Sequence, residues 1–277
     1  MSYNHKYLNL LKKTLTFQLW PEPPLPATTF LNSRKKNRHK IFLNKLLESF
    51  FLKFNRLLLK PVKSSKLDKL EGRAWSGYAH TMIGEKRLDN IEHAIQTIIQ
   101  EGVQGDIIEA GVWRGGAAIF MKACLDQFKG ESRKVFVADS FQGLPQPNPL
   151  FMEDKDDVHY SYSFLKVPLE EVRSNFEQYG VMDENVIFLE GFFEESLPVA
   201  PIKSLSLLRA DGDMYSSTKD ILENLYPKLN QGGFCIIDDY NFPACKSAVN
   251  EYRIKNDILD PIIEVDWSCV YWRKSGN

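Results

Sequence analysis

The chain has 277 residues, 43% of them hydrophobic and 26% charged, which suits one large domain with a real core and excludes a disordered or fibrous chain. Its net charge of -1 hides an uneven distribution: residues 1–70 carry 15 basic and 3 acidic residues, and the rest 20 basic and 33 acidic ones. No stretch reaches the roughly 18 uncharged apolar residues of a membrane span and no secretion signal is visible, so a cytoplasmic protein is expected.

Taken in chain order, residues 1–70 form a basic, partly helical extension, and residues 71–277 the main domain. Pro21, Pro23, Pro24 and Pro26 interrupt any early helix, and the cluster Arg34 to Lys40 follows. Residues 41–59 are dense in Leu and Phe, with Lys45, Lys53 and Arg56 interspersed, which predicts a basic amphipathic helix. Packing against the main domain or another subunit is the favoured reading, and peripheral contact with an anionic membrane the alternative. A homo-oligomer is expected. Leu88, Ile91, Ile95, Ile98 and Ile99 recur at helical spacing before Gly102, a helix stop.

From Gly105 onward, short apolar runs alternate with helical patterns, which predicts an α/β fold with a doubly wound, mostly parallel sheet. Five strands are expected, at Asp106 to Val112, Lys134 to Asp139, Val186 to Glu190, Leu205 to Asp211 and Gly233 to Asp239. Ile262 to Trp272 should add one or two antiparallel closing strands. The connection Phe141 to Val167 is long enough to be a lid or binding loop; its alternating Tyr160, Tyr162 and Phe164 equally suit an edge strand. Cys124, Cys235, Cys245 and Cys269 show no CxxC spacing and read as buried, reduced thiols.

Ligands of such a sheet collect at the carboxyl ends of the strands. The first strand ends in Glu109-Ala-Gly-Val-Trp-Arg-Gly-Gly116, where Gly111, Gly115 and Gly116 allow a tight turn and close approach of backbone to a ligand. The spacing is not GxGxxG, and Trp113 in the loop argues against a dinucleotide. Asp139, ending the second strand, can accept both hydroxyls of a ribose, so a nucleoside-containing cofactor is expected. Glu109 suits an ammonium group of that cofactor or the loop amides.

The fourth strand ends in Arg209-Ala-Asp-Gly-Asp213 and the fifth in Asp238-Asp-Tyr240. If these strands are neighbours, Asp211, Asp238 and Asp239 converge, and their mutual repulsion calls for a cation. Oxygen ligands without paired His or Cys select magnesium, calcium or manganese. Helix capping is the competing reading for each aspartate, and Asp213 with Ser216 and Ser217 is assigned to it, capping a helix that starts near Thr218.

The motifs Glu109 to Gly116, Asp139-Ser-Phe-Gln-Gly143, Asp211-Gly-Asp-Met-Tyr-Ser-Ser-Thr218 and Ile237-Asp-Asp-Tyr240 resemble the macrocin O-methyltransferase family of sugar-tailoring enzymes. Tyr78-Ala-His-Thr-Met-Ile-Gly84 and Cys245 to Arg253 are similar too, so the resemblance spans about Glu71 to Lys274. It implies a class I, Rossmann-like methyltransferase using S-adenosylmethionine and Mg2+, with a sugar-containing small molecule or glycan as acceptor. By resemblance, Asp211, Asp238 and Asp239 are metal ligands. Met82, Ile83, the loop Ala110, Gly111, Val112, Trp113, Arg114, Gly115, and Asp139 with Ser140 line the cofactor pocket, and His159 lies near the substrate. A divalent ion can orient a diol and acidify its hydroxyl, and Asp211 or His159 can take the proton.

Competing functions are a nucleotide-sugar oxidoreductase, for which Tyr162 with Lys166 and Tyr215 with Lys219 supply the Tyr-x-x-x-Lys pair, and a non-catalytic or membrane-recruited cofactor-binding module. Nucleic-acid binding by the basic segment is not expected, because its cations interleave with Leu and Phe and no nucleic-acid motif is present.

Overall fold

The computed structural model describes residues 5–26, 38–60, 65–130 and 132–276. Residues 34–37 of the basic cluster lie outside the described residues. The N-terminal segment contributes helix α1 (His5–Leu15), a short antiparallel pair of β1 (Leu25–Pro26) with β2 (Leu59–Lys60), α2 (Arg38–Leu52) between them, and α3 (Lys66–Leu70). The main domain follows as α4 (Glu85–Gln100), β3 (Asp106–Ala110), α5 (Gly116–Phe128), β4 (Val135–Asp139), α6 (Leu169–Gln178), β5 (Val186–Glu190), α7 (Phe193–Ser196), β6 (Leu205–Ala210), α8 (Tyr215–Leu225), β7 (Leu229–Ile237), α9 (Pro243–Lys255), β8 (Ile263–Glu264) and β9 (Val270–Arg273).

The main sheet runs β5-β4-β3-β6-β7-β9-β8. Its first five strands are parallel, and β9 and β8 close it antiparallel, as the sequence predicts. Core strands such as β4 and β6 are buried along nearly their whole length, because helices cover both faces. One core lies under α4 and α5 (Ile95, Ile107, Phe120, Val137), the other under α8 and α9 (Ile108, Leu208, Leu222, Val249). All four cysteines are buried and unpaired.

Part of the N-terminal segment is built into this core. Leu8, Leu11 and Leu15 stand one or two turns apart on α1 and bury among the α4 and α5 side chains. Between them Lys12 reaches Asp89 and Glu92 of α4, each at 2.5 Å. By contrast Leu43, Leu46, Leu47 and Phe50 of α2 are exposed. Helix α2 begins at Arg38, ahead of the expected 41–59 span, and ends at Leu52. No helix among the described residues is long and apolar enough to cross a membrane.

The long connection forms 3-10 turns at Met152–Asp154, His159–Ser161 and Ser163–Leu165, so Tyr160, Tyr162 and Phe164 do not form an edge strand. Strand β3 stops at Ala110, two residues early, because Gly111 turns away with φ 92°. Strand β7 starts earlier than expected, at Leu229, and α8 starts at Tyr215 instead of Thr218.

Candidate active site

Four strands finish level with one another. Ala110 is in register with Ala138 on one side and Ala210 on the other, and Ala210 with Ile237. Three further backbone bonds continue the ladder, from Gly111 to Ala138, Asp211 to Ala110 and Asp238 to Ala210, at 2.8 to 2.9 Å. Asp139, Gly111, Asp211 and Asp238 therefore leave the sheet side by side, around the point where strand order reverses between β3 and β6. They border a cleft of about 1140 Å³.

On the loop after β3, glycine is required at Gly111, where a Cβ would lie 1.8 Å from the Asp211 carbonyl oxygen. Asp139 organises the same loop: one carboxylate oxygen accepts from the amides of Val112 (2.8 Å) and Trp113 (3.3 Å), the other from Phe141 (2.8 Å). Burial raises its pKa and these amides oppose that rise. The ribose acceptor expected at Asp139 thus already serves three backbone donors. The Tyr78–Gly84 segment is tied alongside, with Arg114 donating to the carbonyls of Gly77 and Ala79 and Gly116 to that of His80.

Met82, Ile83, Glu109, Gly111, Val112, Trp113, Arg114, Asp139, Ser140, His159 and the three aspartates all border the cleft. Ala110 and Gly115 do not. Ala110 is buried within the sheet, and the open side of Gly115 faces Val172 and Phe176, so both shape the loop from behind.

Below the aspartates runs a chain of buried charges. Arg209 of β6 donates to Glu109, to Asp211 at 3.0 Å and to Asp238 at 2.5 Å. Arg87 of α4 donates to the other oxygen of Asp238 at 2.5 Å and to Asp266 at 2.7 Å. Burial alone would raise Asp238, but these two guanidiniums hold it below the ordinary carboxylate range. Glu109 is pushed up to about 8 by burial, which Arg209 only partly offsets. Its second oxygen is buried without a hydrogen-bond partner among the described residues.

Asp211, Asp238 and Asp239 each present an oxygen within 4.8 Å of the others. Burial and the neighbouring carboxylates raise Asp211, and Asp239 more strongly. Asp213 rises to about 7, through burial and Asp211. Two arginines do not balance this many acids, and an all-oxygen set with surplus negative charge fits a hard divalent cation.

Asp213 does not cap α8. It turns with φ 54°, and its amide donates to Asp239 at 3.1 Å. The cap comes from Asp154 in the long connection, whose buried carboxylate accepts from the amides of Tyr215 (2.7 Å) and Ser216 (2.9 Å). Trp113 ties the same connection to the cofactor-side loop by donating to the Phe164 carbonyl at 2.8 Å. Tyr215 and Tyr240, beside the aspartates in sequence, spend their hydroxyls on Glu251 and Asn250 of α9. The Tyr215–Lys219 pair is not assembled for hydride chemistry, since Lys219 bonds Glu223. Arg87, Arg209, Asp154 and the cleft-lining Phe192 and Phe242 are additions that motif reading missed. An arginine inside the apolar strand Leu205–Ala210 was the available signal for buried acid partners.

The sequence profile of the Macrocin-O-methyltransferase (TylF) family matches residues 4–274, extending the resemblance over most of the N-terminal segment. The chain is 50% identical over 208 residues to demethyldecarbamoylnovobiocin O-methyltransferase of Streptomyces niveus, covering 74% of this chain and 79% of that one. It is 49% identical over 210 residues to 8-demethyl-8-(2,3-dimethoxy-alpha-L-rhamnosyl)-tetracenomycin-C 4'-O-methyltransferase of Streptomyces olivaceus, covering 75% and 80%. The solved O-methyltransferase NovP matches with 40% identity and a TM-score of 0.81, over 98% of this chain and 99% of its own. The calicheamicin methyltransferase CalS11, at 20% identity, TM-score 0.56 and 68% and 79% coverage, shares the fold. The chain belongs to the macrocin O-methyltransferase family and is an O-methyltransferase that uses S-adenosylmethionine.

Proposed function

We propose that the chain methylates a sugar hydroxyl of a glycosylated natural product or glycan, with a divalent cation, magnesium by preference, at Asp211, Asp238 and Asp239. The observation that carries this reading is the meeting of the glycine loop and the carboxylate cluster in one cleft. The relative whose name specifies a rhamnosyl-bearing acceptor supports the sugar. Mycinamicin III 3''-O-methyltransferase of Micromonospora griseorubida, 45% identical over 74% of this chain and 82% of its own, is a further O-methyltransferase relative.

S-adenosylmethionine supplies an electrophilic sulfonium methyl, so the protein's task is to align and deprotonate an oxygen. Met82, Ile83 and the Gly111–Arg114 loop would hold it, with the unpartnered oxygen of Glu109 facing its ammonium. A bound divalent cation would orient neighbouring hydroxyls and lower the pKa of one. Asp211 or His159 takes the proton. Asp139 keeps the loop shaped through its three amide bonds, and Arg87 and Arg209 keep Asp238 ionised as a ligand.

Charge in the cleft argues for a neutral acceptor over a sugar nucleotide. Among the described residues the arginines that line it are Arg87, Arg114 and Arg209, each committed to protein partners, which leaves none of them free for a diphosphate. Residues 1–70 are assigned as an extension whose exposed α2 packs against another subunit in a homo-oligomer, and residues 71–277 as the catalytic domain. The test is transfer of labelled methyl from S-adenosylmethionine to a panel of aryl and alkyl 6-deoxyhexosides, with magnesium and with chelator. Transfer only with the metal is expected, and equal transfer in chelator would overturn the metal assignment.

A further inference from the structure

His159 and Asp157 form a preassembled pair in the long connection. The Asp157 carboxylate holds the histidine twice: one oxygen accepts from the His159 backbone amide at 2.8 Å, the other pairs with ring Nδ1 at 2.7 Å. The ring sits between two aromatics, edge-on to Tyr162 with centroids 5.5 Å apart and tilted against Phe242 at 6.0 Å. Phe242 bonds back to the Asp239 carbonyl at 2.8 Å, so the histidine stands beside the segment leaving the carboxylate cluster. Three residues before Asp157, Asp154 locks this stretch onto the first amides of α8. The far ring nitrogen, Nε2, has no hydrogen-bond partner among the described residues, and the ring borders the cleft.

We propose that Asp157 is a positioning residue: it fixes the proton of neutral His159 on Nδ1 and so presents an unprotonated Nε2 to the acceptor hydroxyl. This rests on the proposed sugar methylation and deepens it, choosing His159 over Asp211 as the group that takes the proton. In the step it serves, the acceptor O–H proton passes to Nε2 and the oxygen forms a bond to the methyl carbon. The carbon–sulfur bond breaks with its electron pair staying on sulfur, leaving S-adenosylhomocysteine. The imidazolium then returns its proton to solvent.

A carboxylate bonded to Nδ1, the nitrogen turned away from the substrate, is a recurrent way to select a tautomer and stabilise the cation that forms. The charged groups facing the ring are Asp157 on its own segment and Asp213 across the cleft, at the turn between β6 and α8. Both favour the protonated ring, so its titration lies above the ordinary 6.5.

The test is long-range proton–nitrogen NMR of the nitrogen-15-labelled full chain across pH, with His159 assigned by its loss in His159→Gln. The expected spectrum shows an unprotonated Nε2 and a protonated Nδ1 in the neutral ring. Asp157→Asn should lower the titration midpoint by about one unit or more. A neutral ring carrying its proton on Nε2, or a midpoint unmoved by the substitution, would overturn the proposal. If Asp157→Asn does not fold, the wild-type tautomer decides alone. With any hexoside that is turned over, Asp157→Asn should lower kcat about tenfold with KM for S-adenosylmethionine unchanged, and move the acid limb of the rate profile down with the NMR midpoint. Failure of every hexoside would sink the acceptor assignment, while the tautomer and midpoint seen by NMR would still decide the role of the pair.

Discussion

Arg209 donates to Asp238 at 2.5 Å from the middle of the sheet, so this carboxylate reaches the cleft with its charge already compensated. The same guanidinium holds Glu109 on the cofactor side and Asp211 on the other, linking the two halves of the cleft through one buried cation. Replacing it should strip Glu109 and Asp211 of their guanidinium and leave Asp238 with Arg87 alone. Arg209→Met is expected to destabilise the fold by about 3–5 kcal/mol, as the breaking of buried ion pairs does. Urea unfolding measures this, and an unchanged midpoint would contradict the assigned geometry.

The cluster should make stability depend on pH in an unusual direction. Asp213 titrates near 7 and Glu109 near 8 in the fold, against ordinary values of 3.8 and 4.5. Between the unfolded and folded values the native state binds protons that the unfolded state has released, so their contribution is present below about pH 4 and lost as pH rises to about 8. Metal-free protein should therefore melt at a lower temperature at pH 8 than at pH 6, and added magnesium should raise Tm more at pH 8. A melting temperature that rises from pH 6 to pH 8 without metal would contradict it.

Relief of repulsion gives a companion result. Asp239→Asn removes a member of the cluster that burial raises first and that the neighbouring Asp213, Asp211 and Asp238 raise further. Calorimetry with manganese should show affinity reduced at least about tenfold, while metal-free Tm stays level or rises. Loss of both affinity and stability would point to a purely structural aspartate.

Asp154 offers a test of the connection that covers the cleft. Its carboxylate caps α8 from 61 residues away, so Asp154→Ala should cost about 1 kcal/mol of capping energy and free residues 141–167 from α8. Limited proteolysis should cut faster there and nowhere else. Unchanged cleavage would mean that the Trp113 bond to Phe164 suffices to hold it.

What the sequence made legible follows from range. Strands β3 to β7 are short apolar runs with turn residues at their ends, so their positions along the chain and the placing of Asp139, Asp211 and Asp238 at strand ends could be read locally. The buried charge chain could not, because Arg209 meets Glu109 from 100 residues away and Arg87 meets Asp238 from 151. Asp213 misled for the same reason. Its place before a helix suggested a cap, but an acid from the long connection had taken the amides. Tyr160 to Phe164 alternate like a strand yet pair with no strand among the described residues, and form 3-10 turns.

Titration calorimetry of S-adenosylmethionine into the metal-stripped protein and its Asp139→Ala variant tests the central claim most directly. Saturable one-to-one binding, weakened at least about tenfold when Val112, Trp113 and Phe141 lose their common acceptor, is the predicted result. No binding to the unmodified protein, or equal affinity in the folded variant, would contradict the placing of the methyl donor on the loop after β3.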